Sequence, residues 1–372
     1  MRVLVVNVGS SSVKLRVLDG PDDVVVADDL AAADPAAAVE RRLSESRDVD
    51  AVGHRIVHGG PHLTRAALVD RRVIGELREA SELAPVHNPP ALAALEAALD
   101  AAPELPNVAC FDTAFHAGMP AEASLYAIPS DWTERHRIRR YGFHGLSVAY
   151  STRQAGQLLG LPPEEMRIVV CHLGAGASVT AVRGGRSVDT TMGFTPLEGL
   201  VMARRSGSVD PGLLLWLERS RGVSSSELED VLEHRSGIAG MAGGDGDMRA
   251  VVQAAARGET RAATALGVYI HRLRAAIAAM AAAMGGLDAI VFTGGVGEGS
   301  DHVRTTACAG LGFLGIEIES TGREDPPDED LELTGGRARV RALVVRARED
   351  LQIAAETRDA LTRGQATPPI GR

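Results

Sequence analysis

Three strand-like runs of this 372-residue chain each end in a turn rich in glycine or serine, and this feature limits the folds open to it. The runs are VLVVNVGSSS, IVVCHLGAGAS and AIVFTGGVGEGS. Their β-branched residues favour strands, and the small residues that follow permit tight turns. Helical patterns occupy residues 91–102, 147–160, 262–284 and 349–362. Strands interspersed with longer helices predict an α/β fold.

The first two runs resemble each other at an offset of 165 residues. In both places a strand enters a glycine turn and a second strand leaves it. We interpret this as an internal duplication, which predicts two related domains with a cleft between them. The length of the chain, too great for one ordinary core, also indicates two domains. The identical pairs are Arg2 and Arg167, Val5 and Val170, Gly9 and Gly174, Val17 and Val182, and Gly20 and Gly185.

The charge balance limits the partners of the chain. The formal net charge is -10, which argues against a nucleic-acid partner and against binding to an anionic membrane surface. An anionic substrate must therefore meet local arginines. Of the 39 basic residues, 38 are arginines and one is Lys14. A single lysine at a Gly-Ser turn indicates a position that requires a compact ammonium group rather than a guanidinium.

The cysteines predict a reducing compartment. Cys110, Cys171 and Cys308 are three in number, and the first two lie in apolar runs, so we expect buried thiols and no disulfide framework. The sequence enters a strand pattern without a secretory h-region. The longest helical candidate is interrupted by His271, Arg272 and Arg274, so it does not predict a membrane span. These features predict a cytoplasmic protein.

Several common catalytic motifs are absent. The sequence lacks the G-x-S-x-G turn of hydrolases, and the run GGVGEG after a strand does not have the G-x-G-x-x-G register of a dinucleotide fingerprint. Gly9 to Lys14 lacks the second glycine of a P-loop and continues as a strand. His54, His58 and His62 have the spacing of a helical zinc site, but Gly59, Gly60 and Pro61 would break that helix, so we predict no metal there.

Glycine-rich turns at several strand ends remain to be explained. Backbone N–H groups in such turns form concavities that bind phosphate oxygens. Several turns of this kind in one chain, one of them next to Lys14, favour a nucleotide-dependent phosphotransferase.

Seven stretches of the sequence together resemble the acetate kinase family: VNVGSSSVKL, VGHRIVHGG, LAPVHNPP, FDTAFH, YGFHG, CHLGAGAS and MGFTPLEGL. The resemblance implies an actin-like, sugar-kinase-like α/β fold, with duplicated domains around a nucleotide cleft. It places the first domain at 1–146 plus 351–372 and the second at 147–350. It also implies Mg²⁺- or Mn²⁺-dependent phosphoryl transfer between ATP and acetate by a homodimer.

The resemblance also assigns the reaction centre. Phosphoryl transfer requires cations and donors that converge on one point, because the protein has little covalent chemistry to do. Arg55 would hold the acetate carboxylate through its planar guanidinium. Asp112 interrupts an apolar run, which is costly unless a cation pairs with it, so we expect it to orient an arginine or the metal. His144 and Arg205 would stabilise the transition state. The small apolar pocket for the methyl group would comprise Val57, Val86, Phe143 and Pro196.

The first hairpin and the last helix would supply the phosphate and metal contacts. By resemblance, Ser10, Ser12 and Lys14 contact phosphates, while Asn7 and Glu349 lie near the metal. Glu349 follows the last strand, although Ala347 and Arg348 replace the Thr-Asn that precedes it in the family.

Three further segments match the nucleotide site of the family. Two of them depart from the family pattern, because Ala175 and Gly299 stand where the family has asparagine. These departures put the donor preference in question but leave phosphate binding through the backbone intact. The residues are His172, Leu173, Gly174, Ala175, Gly176; Asp247, Met248, Arg249; and Gly295, Val296, Gly297, Glu298, Gly299.

Two alternatives remain open at this point. One is a kinase for propionate or another short-chain acid. The other is a catalytically weak nucleotide-binding regulator of the same fold, which the two departures suggest. Asp112, His144, Arg205 and Glu349 argue against the regulator, because a binding module does not need that combination.

Overall fold

The computed structural model describes residues 1–9, 12–20, 23–31, 34–46 and 48–366, and its chain divides into two compact units. The first unit comprises Met1–Ala117, Phe143–Tyr150 and Arg348–Arg372, and the second comprises Gly118–Gly142 and Ser151–Ala347.

The unit boundaries differ from the predicted ones mainly at residues 118–142, which were predicted in the first domain and pack in the second unit. Residues 147–150 and 348–350 were predicted in the second domain and lie in the first unit. Their hydrogen bonds explain the difference. Arg140 donates to the carbonyls of Thr191 and Met192, and the hydroxyl of Tyr126 donates to Glu198. The sequence offered no periodic signal for these long-range contacts.

Each unit is built on one six-stranded sheet. The first sheet has the order β3-β2-β1-β4-β6-β5, and the second has the order β9-β8-β7-β10-β12-β11. The strands of the first are β1 (Arg2–Val8), β2 (Ser12–Asp19), β3 (Asp23–Ala31), β4 (Ala51–Ile56), β5 (Ala67–Leu68) and β6 (Asn107–Phe111). Those of the second are β7 (Arg167–Leu173), β8 (Ala177–Arg183), β9 (Arg186–Thr190), β10 (Ala289–Thr293), β11 (Leu331–Glu332) and β12 (Arg341–Val344).

The two sheets have the same topology, which confirms the predicted duplication. In each, three antiparallel strands lead to two parallel strands and a short antiparallel edge strand. Strands β1 and β7 begin at Arg2 and Arg167, and strands β2 and β8 begin at Ser12 and Ala177, so the 165-residue offset of the sequence is the offset of the strands.

Helices cover the first sheet. Its core is the sheet face that packs against α1 and α3, with Leu4, Val6 and Leu15 facing Ala94 and Leu95. Full burial of one such leucine stabilises the fold by about 1.5–3 kcal/mol. The helices of this unit are α1 (Pro35–Glu45), α2 (Arg71–Ala80), α3 (Asn88–Ala101) and α14 (Glu349–Ala366). Helix α6 (Gly145–Leu159) begins in the first unit and ends in the second.

The last helix, α14, packs against strands β1, β4 and β6. A side chain at Gly53 would lie 2.3 Å from the Thr357 hydroxyl and 2.9 Å from Ile353, so β4 needs glycine where α14 passes. This close approach holds the middle of α14, the helix that begins at Glu349, against β4.

The second unit is mostly helical outside its sheet. The long helix α11 packs against β7 and β8 and buries one side of its length, including Leu273 and Ile277. In the described residues, no helix combines the length and the apolar character needed to cross a membrane. The remaining helices are α4 (Ala121–Ser124), α5 (Ser130–His136), α7 (Pro211–Arg221), α8 (Ser225–His234), α9 (Gly237–Ala242), α10 (Met248–Ala256), α11 (Thr260–Met284), α12 (Gly294–Gly299) and α13 (Asp301–Ala309).

Candidate active site

Arg55 and Asp112 meet at the ends of two adjacent parallel strands. Strand β4 ends at Ile56 and strand β6 ends at Phe111, and the amide of Asp112 donates to the carbonyl of Ile56. Arg55 Nη2 lies 2.6 Å from Asp112 Oδ2, and Arg55 Nε lies 3.1 Å from the same oxygen. The predicted pairing of Asp112 with an arginine is therefore present, and Arg55 is that arginine.

Asn7 and Glu349 complete a polar cluster around Arg55. Arg55 Nη1 donates to Asn7 Oδ1 at 3.1 Å, and Asn7 Nδ2 donates to Glu349 Oε2 at 3.0 Å. Glu349 Oε2 also lies 3.7 Å from Arg55 Nε. Four residues that are far apart in the sequence thus meet in the first unit. We call Asn7, Arg55, Asp112 and Glu349 the acidic cluster.

Burial controls the charges of this cluster. The carboxyl of Asp112 is buried, and burial raises its pKa to about 6, although the charge of Arg55 acts in the opposite direction. Burial would by itself lower the pKa of Arg55, but the carboxylates of Asp112 and Glu349 raise it above its ordinary value. Arg55 is therefore charged at every physiological pH.

The donor atoms of the acidic cluster fit a hard divalent cation. The amide oxygen of Asn7 and the carboxylates of Asp112 and Glu349 are oxygen ligands, which Mg²⁺ and Mn²⁺ prefer over nitrogen and sulfur. A magnesium ion usually takes only one or two carboxylates and completes its shell with water and phosphate oxygens. No group of three or more His, Cys, Asp or Glu that could hold a metal occurs in the described part of the chain.

His144 has a strained backbone. Its φ is 60°, in the left-handed region that side chains other than glycine rarely adopt. The turn is fixed on both sides: His116 Nε2 lies 2.9 Å from the carbonyl of Phe143, and the amide of Gly145 donates to the carbonyl of Asp112. A side chain at Gly145 would lie 2.2 Å from that carbonyl. The backbone of Asp112 thus positions the turn that carries His144.

Three of the four predicted methyl-pocket residues lie in the first unit. Val57, directly after β4, and Phe143 are buried, and the ring of His58 packs edge-on against Phe143 with centroids 5.5 Å apart. Val86 is about half exposed, unlike the other two. The fourth, Pro196, is a partly buried residue of the second unit.

The glycine turn of the first hairpin joins β1 to β2. The amide of Gly9 donates to the carbonyl of Ser12, which closes the turn, and Ser10 lies outside the described residues. Lys14 is exposed and lies directly opposite Asn7 in the antiparallel register. Residues opposite each other in such a pair project from the same face of the sheet, so Lys14 shares a face with Asn7.

Arg205 lies in the second unit and is partly buried. Its Nε lies 2.9 Å from Glu233 Oε2, and its Nη1 contacts the sulfur of Met202. The adjacent Arg204 is exposed and donates to the carbonyl of Asp245. The side chain of Arg205 is therefore held by an ion pair, whereas that of Arg204 lies at the surface.

The glycine turn after β7 is the counterpart of the turn after β1. The amide of Gly174 donates to the carbonyl of Gly176, and Ala175 at the tip is exposed. The carbonyl of Ala175 accepts from the amide of Ala203, which connects this turn to the segment that carries Arg205. His172 is partly buried and Leu173 is fully buried, so only main-chain atoms of Leu173 could reach a ligand.

The segment 247–249 starts helix α10. Asp247 is its N-cap, with the carboxylate accepting from the amide of Arg249. Met248 is buried in the core, so its side chain is unavailable to a nucleotide at the surface. Arg249 is exposed and pairs with Asp325 at 3.2 Å.

The segment 295–299 belongs to the short helix α12, which follows β10. A side chain at Gly295 would meet no atom within 4 Å, so its backbone borders open space. A side chain at Gly299 would touch Pro326 at 3.4 Å. The carboxylate of Glu298 accepts from the amides of Gly294 and Ala347, so it holds the backbone of its own helix. Val296 and Gly297 lie between Gly295 and Glu298 in the same helix.

Two supporting residues were missed in the sequence. His116 holds the carbonyl of Phe143, and burial lowers the pKa of His116 to about 4, so it is neutral there. Its position in FDTAFH, four residues after Asp112, was the available signal. Glu233, the partner of Arg205, had no local signal because it reaches Arg205 from helix α8.

Comparisons with known proteins agree on one family. A family profile with the description Acetokinase family matches residues 28–355. The chain is 42% identical over 392 residues to the acetate kinase of Deinococcus deserti, with 97% of this chain and 98% of that one covered. It is 40% identical over 396 residues to the acetate kinase of Thermotoga maritima, with 96% and 98% covered.

Solved structures give the same result. The acetate kinase of Porphyromonas gingivalis superposes with a TM-score of 0.89 at 36% identity, covering 97% of this chain and 99% of that chain. A propionate kinase from Francisella tularensis superposes with a TM-score of 0.88 at 33% identity, covering 96% and 99%.

Proposed function

Because this chain belongs to the Acetokinase family, we propose that it transfers the γ-phosphoryl group of ATP to acetate in a reversible reaction that gives acetyl phosphate and ADP. The protein is an enzyme, a phosphotransferase with the duplicated α/β fold of the actin-like and sugar-kinase-like class. The observation that carries the assignment is the acidic cluster. In this cluster Arg55 has N–H donors beyond those that contact Asp112 and Asn7. These donors can bind the carboxylate of an anionic acceptor.

Arg55 is suited to bind the acceptor carboxylate. A guanidinium has five N–H donors. Three of those of Arg55 contact Asp112 and Asn7. Two donors, one on Nη1 and one on Nη2, remain for the carboxylate of acetate. Asp112 keeps the guanidinium in one orientation, so the acceptor is positioned without further loss of side-chain freedom.

We assign charge stabilisation to His144 and Arg205. The moving phosphoryl group carries negative charge on its equatorial oxygens, and fixed cationic donors stabilise that charge more than they stabilise the substrates. The strained turn fixes the backbone that carries His144, and the Glu233 contact restricts the side chain of Arg205. Strain of this kind costs about 1–3 kcal/mol and is frequent at functional sites.

The family uses ATP and a divalent metal, and we propose Mg²⁺ or Mn²⁺ as that metal. The side-chain oxygens of Asn7 and Glu349, with Asp112 beside them, would hold it together with phosphate oxygens. When bound, the cation would neutralise phosphate charge. The open backbone at Gly295 would offer N–H groups to the phosphates. Glu298 acts by positioning this backbone.

A hydroxamate assay tests the proposal directly. The purified chain is incubated with ATP, Mg²⁺ and acetate, and acyl phosphate is trapped with hydroxylamine. We expect acetyl hydroxamate to form only when all three are present. Absence of product with acetate, propionate and butyrate alike would overturn the assignment and favour the nucleotide-binding regulator.

Propionate is the second candidate acceptor, because a propionate kinase is among the similar structures and Val86 is half exposed. One methylene changes the specificity of an apolar pocket by about 1–3 kcal/mol, or roughly 10- to 200-fold. We therefore expect propionate to react with a lower kcat/KM than acetate, and longer acids to react more slowly still. A higher kcat/KM for propionate would reassign the acceptor.

We also propose that the enzyme is a cytoplasmic homodimer without nucleic-acid or membrane partners. Every residue of helix α7 is at least partly exposed, and Leu213, Leu215 and Trp216 present an apolar surface that a second copy would cover. Light scattering should give twice the mass of the chain, and Leu215→Glu should shift the mass toward the monomer. The three buried free cysteines suit a reducing compartment.

A further inference from the structure

Arg304 is a buried arginine outside every segment assigned above. Its side chain is 2% exposed, and Nη1 donates to the carbonyls of Gly297 and Glu298 at 2.8 and 2.6 Å. Both carbonyls lie in the last turn of α12, where a helix has no internal donors for them. Arg304 therefore supplies, from helix α13, the donors that end helix α12.

A network on the far side holds Arg304 in place. Its Nη2 lies 3.4 Å from Asp301 Oδ1, which gives the buried cation a counterion. Asp301 in turn accepts from the hydroxyl of Ser320 and from the amide and hydroxyl of Thr321. The carboxylate of Asp301 therefore holds Arg304 in place, and Ser320 and Thr321 hold that carboxylate.

Helix α12 needs this support because of its composition. Four of its six residues are glycine, and each glycine in a helix costs about 0.5–1 kcal/mol relative to alanine. A helix this short is not stable by itself in water. Glu298 binds the backbone at its start, and Arg304 binds the backbone at its end. The glycines leave the backbone open to a ligand, and these two charged side chains give it one conformation.

We propose that Arg304 is a positioning residue that holds the glycine-rich helix α12 in its nucleotide-binding conformation. The inference rests on the proposed function, since it assigns the nucleotide to this segment. Without Arg304 the two carbonyls lose their donors, and only a fraction of the molecules has α12 in the competent form. The apparent affinity for nucleotide falls by that fraction, while acetate binding in the first unit is unaffected.

The chain offers a matched control in Arg274. This arginine donates to the carbonyls of Thr306 and Ala307 at 2.7 and 3.2 Å, so it ends helix α13 in the way that Arg304 ends α12. Arg274→Met should therefore lower the melting temperature as Arg304→Met does. Only Arg304→Met touches the nucleotide segment.

The experiment measures ADP binding by calorimetry in the presence of Mg²⁺, together with KM for ATP and for acetate. For Arg304→Met we expect ADP affinity to fall, and KM for ATP to rise, at least tenfold, with KM for acetate within twofold of wild type. Arg304→Lys, which keeps the charge and one donor direction, should be intermediate. Arg274→Met should bind ADP within twofold of wild type.

Three results would overturn the inference. The first is an ADP affinity of Arg304→Met equal to that of the wild type. The second is a loss of ADP affinity in Arg274→Met as large as that in Arg304→Met. The third is an equal rise of KM for ATP and KM for acetate in Arg304→Met. If Arg304→Met does not fold, Arg304→Lys is measured in the same way. A loss of ADP affinity of at least threefold in Arg304→Lys supports the inference, and a smaller loss overturns it. If the wild-type chain itself does not bind ADP, the proposed function fails first, and the two failures are thereby distinguished.

Discussion

The guanidinium of Arg55 and the carboxylate of Asp112 form a fixed pair, with Nη2 and Nε of Arg55 at 2.6 and 3.1 Å from Oδ2 of Asp112. The pair joins the ends of two adjacent parallel strands, which is where ligands bind in open α/β sheets. Since the carboxylate is buried, its charge depends on Arg55, and the orientation of Arg55 depends on the carboxylate.

Arg55→Lys should weaken acetate binding. An ammonium is a compact charge and cannot contact Asp112, Asn7 and a substrate carboxylate at the same time. Hydrogen bonds to charged groups contribute about 1.5–3 kcal/mol, so we expect KM for acetate to rise at least tenfold. KM for ATP, measured in the same coupled assay, should stay within threefold. Equal changes in the two KM values would contradict the acceptor role.

Arg205→Ala should lower kcat by at least about 10³ with little change in nucleotide binding, because its contribution is to charge that develops in the transition state. Arg204→Ala is the matched control, since the side chain of this exposed neighbour donates to the carbonyl of Asp245. Its kcat should stay within about threefold. A rise in KM for ATP with unchanged kcat in Arg205→Ala would remove the catalytic assignment.

The strand architecture was predictable because it depends on local patterns. The valine-rich runs ending in glycine became β1, β7 and β10, and the 165-residue offset became the offset between the two hairpins. The helix predicted at 349–362 is α14. The difference at 118–142 between the predicted domains and the compact units has another origin, because Arg140 and Tyr126 bind residues that are tens of positions away. No periodicity in the sequence encodes such contacts.

The site was predictable only in part. The resemblance pointed to Arg55, Asp112 and Glu349, and they do meet in the first unit. Burial was not predictable residue by residue: Met248 lies in the core although it adjoins the exposed Asp247. The support of Arg304 for α12 comes from the next helix and has no sequence motif. Tertiary contacts decide these features, and a single sequence does not display them.

The two missing asparagines should weaken discrimination between purine donors. Ala175 is exposed at a turn and offers no amide, and the space beside Gly299 is bounded by Pro326. We expect kcat/KM for ATP to exceed that for GTP and ITP by less than a hundredfold. Ala175→Asn should raise the ratio, since an exposed turn tolerates the larger side chain. A ratio above a hundred in the unaltered chain would show that neither position sets the donor preference.

Buried histidines should make the protein sensitive to acid. Asn107 Nδ2 donates to the carbonyl of Leu105, so its Oδ1 faces His54 and His54 Nε2 carries the proton of that hydrogen bond. Burial lowers the pKa of His54 from 6.5 to about 4. Between these values the unfolded chain binds a proton that the folded chain does not, so stability is retained above pH 6.5 and is lost as the pH falls toward 4.

His54→Gln tests this dependence. The contribution of the histidine to the free energy of unfolding is on the order of 3 kcal/mol over the whole interval between the two pKa values. Urea unfolding between pH 7.5 and 4.5 should show a smaller loss of stability with falling pH in the variant, even if the variant is less stable at pH 7.5. Parallel curves for the two proteins would show that His54 does not titrate on unfolding.

Lys14→Arg is the sharpest test of the phosphate site. Lys14 lies on the same face of the sheet as Asn7, directly opposite it, and Asn7 contacts both Arg55 and Glu349. We propose that the point-like ammonium of Lys14 contacts the β- and γ-phosphates from this position. A guanidinium is longer, planar and forked, so it would keep the charge and move the γ-phosphate out of line.

We therefore expect Lys14→Arg to melt at the wild-type temperature and to lose most of its kcat/KM, and Lys14→Ala to be comparably poor. Arg16→Lys is the matched control, two residues further along the same strand face, where the arginine binds Asp29 and the carbonyl of Asp28. If Lys14 were only a solvated turn residue, arginine would leave the kinetics within about twofold, because surface changes rarely exceed 0.5 kcal/mol. Acetyl phosphate formation by the three variants decides between these outcomes, since only a phosphate contact makes the change at 14 severe and the change at 16 mild.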